Sequence, residues 1–208
     1  ELFIACGPDI VHTIHGMGAK VFLDLKLHDI PMTVARAMAV IAEMGVSFVT
    51  VHCDGNEEMM EAAVSGGQGR VGVLGVTLLT SVSEKNLSRA GFREEYSADL
   101  SKLVLKRAEA AEAAGCRGVV CSGHEARAIK MELGDHFIVV TPGIRPIWSV
   151  AGKGDQKRIV TPAQAVENGA DYLVIGRPIR DAQDPVAAAI RIAEEIESQQ
   201  IPAPGEAI

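Results

Sequence analysis

A chain of 208 residues, 48% of them apolar and 23% charged, can bury one sizeable core and has the balance of an ordinary soluble globular protein. Its net charge of −7 argues against a general nucleic-acid binder, which needs a basic face, but leaves room for a small anion held in a local cationic pocket. No apolar run approaches the roughly 20 residues of a membrane helix and no secretory signal is visible, so a cytoplasmic protein without a membrane partner is expected.

The elements alternate along the chain. Pro8 suits the first turn of an opening helix. Apolar, β-rich runs at 21–26, 47–52, 72–80, 118–122, 137–141 and 172–176 predict strands. After the first of these, Val34, Ala37, Met38, Ile41 and Met44 repeat with helical period, with Thr33 as the expected N-cap and Gly45 as the stop. Residues 99–114 read as a long helix ending at Gly115. Pro162 and Pro185 suit first-turn positions behind the caps Thr161 and Asp184, and the last helix carries Val186, Ile190, Ala193 and Ile196 along one stripe.

Strands separated by helix-length crossovers imply a parallel sheet, and their continuous apolar runs imply burial on both faces. Such a pattern fits a doubly wound sheet or most of an eight-stranded barrel. Polar residues favour the barrel. Asp24 and Lys26, His52 and Asp54, Thr80 and Ser81, and Gly176 and Arg177 close four different runs, and a barrel builds one site from several strand ends. No dinucleotide-binding glycine fingerprint is present. The fold class expected is therefore α/β, a (β/α)8 TIM barrel with six strands evident, forming a single domain over 1–208.

Cysteines Cys6, Cys53, Cys116 and Cys121 form no C-x-x-C pair, and reduced core thiols are the expectation. His52, Cys53 and Asp54 are adjacent, but no second spaced His or Cys cluster supports a metal site, and none is expected.

The densest chemistry lies in V-F-L-D-L-K-L-H-D-I-P-M-T-V. Asp24 and Lys26 are two apart on a strand, so both side chains share a face. A charged pair in a barrel mouth is costly unless paired or used. Spacing alone leaves open whether it is a structural salt bridge or a catalytic pair. The segment D-L-K-L-H-D-I-P-x-T resembles the signature of the orotidine 5′-monophosphate decarboxylase family. The likeness continues through V-T-L-L-T-S at 76–81, T-P-G-I-R-P at 141–146, G-D-Q at 154–156 and Y-L-V-I-G-R-P at 172–178. Met32 departs from it, standing where the family usually has Asn.

This resemblance implies decarboxylation of orotidine 5′-monophosphate to UMP without cofactor. Lys26 would be the proton donor to C6, and Asp24 would lie against the substrate carboxylate and hold Lys26 in place. Asp29, with Ile30 and Thr33, would reach the neighbouring site of a homodimer. Thr80 would contact the pyrimidine, while Arg145, Gln156, Gly176 and Arg177 would grip the 5′-phosphate. His28 receives no catalytic role, and residues 144–155 read as a loop that closes over phosphate. The resemblance also implies a first strand, first helix and second strand before Glu1, with a further Asp and Lys of the charged network. Two alternatives stay open: a catalytically impaired, phosphate-binding barrel fragment, and a related magnesium-dependent sugar-phosphate decarboxylase.

Overall fold

The computed structural model describes residues 1–149 and 158–200. In chain order the elements are α1 (Leu2–Cys6), α2 (Asp9–Gly16), β1 (Phe22–Leu27), α3 (Pro31–Glu43), β2 (Phe48–His52), α4 (Glu57–Gly66) and β3 (Gly72–Val76). They continue as α5 (Glu84–Arg89), α6 (Glu94–Ser97), α7 (Leu100–Ala113), β4 (Gly118–Val120), α8 (Ala126–Leu133) and β5 (Ile138–Thr141). A 3-10 turn at Ile147–Ser149 precedes α9 (Pro162–Glu167), β6 (Tyr172–Leu173), α10 (Arg177–Arg180) and α11 (Pro185–Gln200). Among the described residues no helix is long and apolar enough to cross a membrane.

The chain forms two compact units. The first comprises Glu1–Thr77 and Lys106–Val120. Its strands β1, β2, β3 and β4 pair in parallel in sequence order, as the helix-length crossovers require. Val49 and Val51 on β2, Val73 and Leu74 on β3, and Met38 on α3 are almost fully buried. The register of β2 on β3 is regular, from Phe48 opposite Gly72 to His52 opposite Val76. That of β1 on β2 is not, a point that matters for the site.

The second unit comprises Leu78–Leu105 and the described residues from Cys121 onward. Here β5 and β6 are parallel, and Ile144, Val160 and Ala165 form a core patch backed by Ala170, Leu173 and Ile175. Thr161 caps α9 and Pro162 occupies the first turn, as the sequence predicts, and Gln164 completes a reciprocal capping box. Asp184 likewise accepts a hydrogen bond from the Ala187 amide at the start of α11.

Four local expectations are corrected. Helix α3 begins at Pro31 with Ile30, not Thr33, as its N-cap residue. Proline lacks the N–H that a first turn leaves unpaired, and it holds Ile30 extended, at φ −60° and ψ 150°. The third strand ends at Val76 rather than Thr80, because the three-residue β4 offers no longer partner. The sixth ends at Leu173, and Tyr172 and Val174 are 51% and 39% exposed, so this run is not buried on both faces. Along α11 the buried residues are Ala188 and Ile192, whereas Val186 and Ile190 face outward. Both stripes have helical spacing, so periodicity alone could not choose between them. The long helix does end as predicted. Gly45 and Gly115 adopt φ 72° and 80° just past α3 and α7, a left-handed geometry that glycine tolerates.

Candidate active site

The first unit carries the charged strand end. Lys26 Nζ lies 2.5 Å from Asp24 Oδ2, so the side chains placed on one face by the sequence do meet. The strand achieves this by breaking its register. Leu23 pairs with Val49 and Leu27 with Val51, so β1 uses two more residues than β2 over the same stretch. Asp24, Leu25 and Lys26 occupy this bulge, and Lys26 takes φ 52°. A left-handed L-residue costs about 1–2 kcal/mol, so other contacts must hold it there.

Those contacts come from Thr50, which is fully buried on β2. Its hydroxyl donates to Asp24 Oδ1 at 2.8 Å and accepts the Lys26 amide, also at 2.8 Å. The pair itself stays open to solvent, with Lys26 and Asp24 side chains 35% and 46% exposed. Sequence reasoning missed Thr50. The available signal was one polar residue inside the apolar run Phe48–His52, on the strand next to Asp24.

A second cluster borders this one. His52 Nδ1 is 3.2 Å from Asp54 Oδ1, and its ring centroid is 5.5 Å from that of His28. Arg107 donates to the Thr77 carbonyl at 2.6 Å and approaches Asp54 at 4.0 Å. Burial holds the His52 imidazole below its ordinary range. The Asp54 carboxylate opposes this, and the charges of His28, Lys26 and Arg107 reinforce it. Among the described residues no group of three or more His, Cys, Asp or Glu could hold a metal ion.

Asp29 accepts the amide of Ile30 at 2.7 Å in the turn before α3. Asp29, Ile30, Met32 and Thr33 are all exposed, Ile30 at 67%.

In the second unit the polar residues come from separate loops. Arg145 follows β5, its amide bonded to the Val160 carbonyl at 2.9 Å. Arg177 opens α10 directly after Gly176, and among the described residues a side chain grown on Gly176 would meet nothing within 4 Å. Arg145 and Arg177 converge electrostatically. Arg180, through a 2.7 Å hydrogen bond and its charge, holds the Asp181 carboxyl below its ordinary range; Arg177 and Arg145 push the same way. Thr80 sits half-buried in a turn beyond β3 rather than on the strand. Gln156, and residues 150–155 of the expected closing loop, lie outside the described residues.

Beside these loops Arg158 pairs with Glu125, the two side chains 13% and 4% exposed. Arg158 also reaches the Leu78 carbonyl, while among the described residues Glu125 Oε2 and Arg158 Nε find no hydrogen-bond partner. Burial pushes the Glu125 carboxyl up, against the pull of Arg158 and His124. No sequence motif announced this pair.

Residues 1–192 match the profile of the Orotidine 5′-phosphate decarboxylase / HUMPS family. The chain belongs to this family. An orotidine 5′-phosphate decarboxylase of Desulfosudis oleivorans is 55% identical over 199 residues, covering 95% of this chain and 80% of the relative. One from Streptococcus pneumoniae is 46% identical, covering 94% of this chain and 82% of its own length. Among solved structures, orotidine 5′-phosphate decarboxylase from Lactobacillus acidophilus aligns with a TM-score of 0.77 at 36% identity, over 91% of this chain and 81% of that one. The α/β barrel class expected from the sequence is thus the fold of the family, and the family is one of enzymes, the carboxy-lyases named by these relatives.

Proposed function

We propose that the chain decarboxylates orotidine 5′-monophosphate to UMP, with Lys26 as the group that stabilises and protonates the C6 carbanion. The observation that carries this reading is the 2.5 Å contact between Lys26 Nζ and Asp24 in a strand bulge where both side chains stay partly exposed. Departure of carbon dioxide leaves an electron pair on C6 that no π-system delocalises. An ammonium already in place meets that charge without reorganising and then transfers its proton to C6. Asp24 fixes the ammonium and, lying against the substrate carboxylate, raises the ground state by like-charge repulsion, the smaller of the two contributions.

The other end of the nucleotide falls to Arg177, Gly176, Gln156 and Arg145. Arg177 offers a planar fork to phosphate oxygens, and the open space beside Gly176 lets the backbone approach closely. Thr80 contacts the pyrimidine. Asp29, Ile30 and Thr33 serve the neighbouring site of a homodimer, supported by the exposure of this whole turn, apolar Ile30 and Met32 included. A cytoplasmic location agrees with Cys53, Cys116 and Cys121, all buried and unpaired; burial pushes the Cys116 thiol up to about 12.

The test is formation of UMP from orotidine 5′-monophosphate by the purified chain in excess chelator. Turnover that survives chelation is expected. Activity only on a sugar phosphate and only with magnesium would replace this reading with the related sugar-phosphate decarboxylase. Phosphate binding without turnover of either would leave the impaired fragment.

A further inference from the structure

We infer that Thr50 is the positioning residue of the site: one hydroxyl sets the β1 bulge and thereby the direction of the Lys26 ammonium. The inference rests on Lys26 being the proton donor.

The ladder between β1 and β2 is intact at Phe22–Phe48 and Leu23–Val49, and resumes at Leu27–Val51. Thr50 alone stands opposite the three residues between. In a regular parallel pair the amides that face the neighbouring strand bond to its backbone carbonyls; within the bulge the Lys26 amide bonds instead to a side chain, Thr50 Oγ1. A hydroxyl has one proton to give and lone pairs to accept with. Thr50 gives its proton to Asp24 Oδ1 and accepts from the Lys26 amide, so a single oxygen fixes both the carboxylate and the backbone of the lysine. Asp24 then uses its other oxygen on Lys26 Nζ. The three bonds close a ring through Thr50, Asp24 and Lys26, and its members measure 2.8, 2.8 and 2.5 Å.

The chemistry of the side chain limits what can replace it. Serine keeps the hydroxyl and both bonds. Valine keeps the shape and burial but neither bond, so the Lys26 amide loses its acceptor, Asp24 loses a donor, and the left-handed residue loses the restraint that the hydroxyl supplied. A shift of about 1 Å at a reacting group can lower turnover by about 100-fold.

The experiment measures kcat and KM on orotidine 5′-monophosphate for the full chain and for its Thr50→Val, Thr50→Ala and Thr50→Ser variants, with thermal melts of each. A folded Thr50→Val with kcat down about 100-fold, KM within about threefold, and Thr50→Ser restored to within about fivefold of the parent is the expected result. Full turnover by folded Thr50→Val, or a loss confined to KM, overturns the inference. So does failure of both Thr50→Val and Thr50→Ala to fold, since the hydroxyl would then hold the fold rather than aim the lysine. A parent chain that turns over the nucleotide while Lys26→Ala is equally active removes the reading of Lys26 instead, which separates the two failures.

Discussion

The charged strand end of the first unit and the arginine cluster of the second are each organised internally, by opposite means. Asp24 and Lys26 carry opposite charges, attract each other, and need only a neighbouring hydroxyl to fix their geometry. Arg145, Arg177 and Arg180 carry like charges, come from the segment after β5 and from α10, and share Asp181 as a counter-charge. A charged pair can therefore be encoded in three consecutive strand residues. A cationic pocket for an anion has to be assembled by the fold, with carboxylates standing in the cluster.

Substitution can break this contrast or sharpen it. The largest effect is expected for Lys26→Ala, where loss of both charge stabilisation and the proton should lower kcat by about 10⁴-fold with KM little changed. A fall below tenfold in steady-state assays would mean that the strand end is only structural. Arg177→Ala removes a charge-assisted fork worth about 2–3 kcal/mol, so kcat/KM for the nucleotide should drop about 100-fold. If the same variant loses nothing, the second unit does not hold the phosphate.

A third substitution separates site from scaffold within the second unit. Arg158→Leu leaves Glu125 buried without its cation and should destabilise the chain by about 3 kcal/mol in denaturant melts. Adding Glu125→Leu should recover most of that loss, because the penalty comes from the stranded charge. Equal stability of the parent and the single variant would show that the pair is not a strut.

The smallest effect is a pH dependence in the first unit. The folded chain holds His52 below its ordinary value of 6.5, first through burial. Above pH 6.5 the imidazole is neutral both folded and unfolded, and its contribution is fully present. Below it the unfolded chain takes up a proton that the fold resists, so stability falls until the folded value is passed. His52→Asn should flatten part of the decline in melting temperature between pH 7 and 5. An identical decline in the variant would assign it to other groups.

Much of the architecture was legible because it depends on local chemistry. All six apolar runs became strands, and Thr161 and Pro162 took the cap and first-turn positions their order announces. Where the reading slipped, two local solutions were equally good. Helix α11 could bury either of two stripes, and the neighbouring elements chose Ala188 and Ile192. At α3, Pro31 outranked Thr33 because a fixed φ and a missing N–H select the first helical position more strongly than a hydroxyl selects the cap.

The sequence by itself determined which residue types could do chemistry: an aspartate two before a lysine at a strand end, and arginines in the loops around the later strands. Spacing along one strand carries that information because alternate side chains share a face. Only the tertiary structure decided how Lys26 is aimed, since the bulge exists through a hydroxyl on another strand. It likewise decided that Glu125 and Arg158, far apart in the chain, bury their charges together. Contacts between distant segments depend on register and packing, which no run of neighbouring residues specifies.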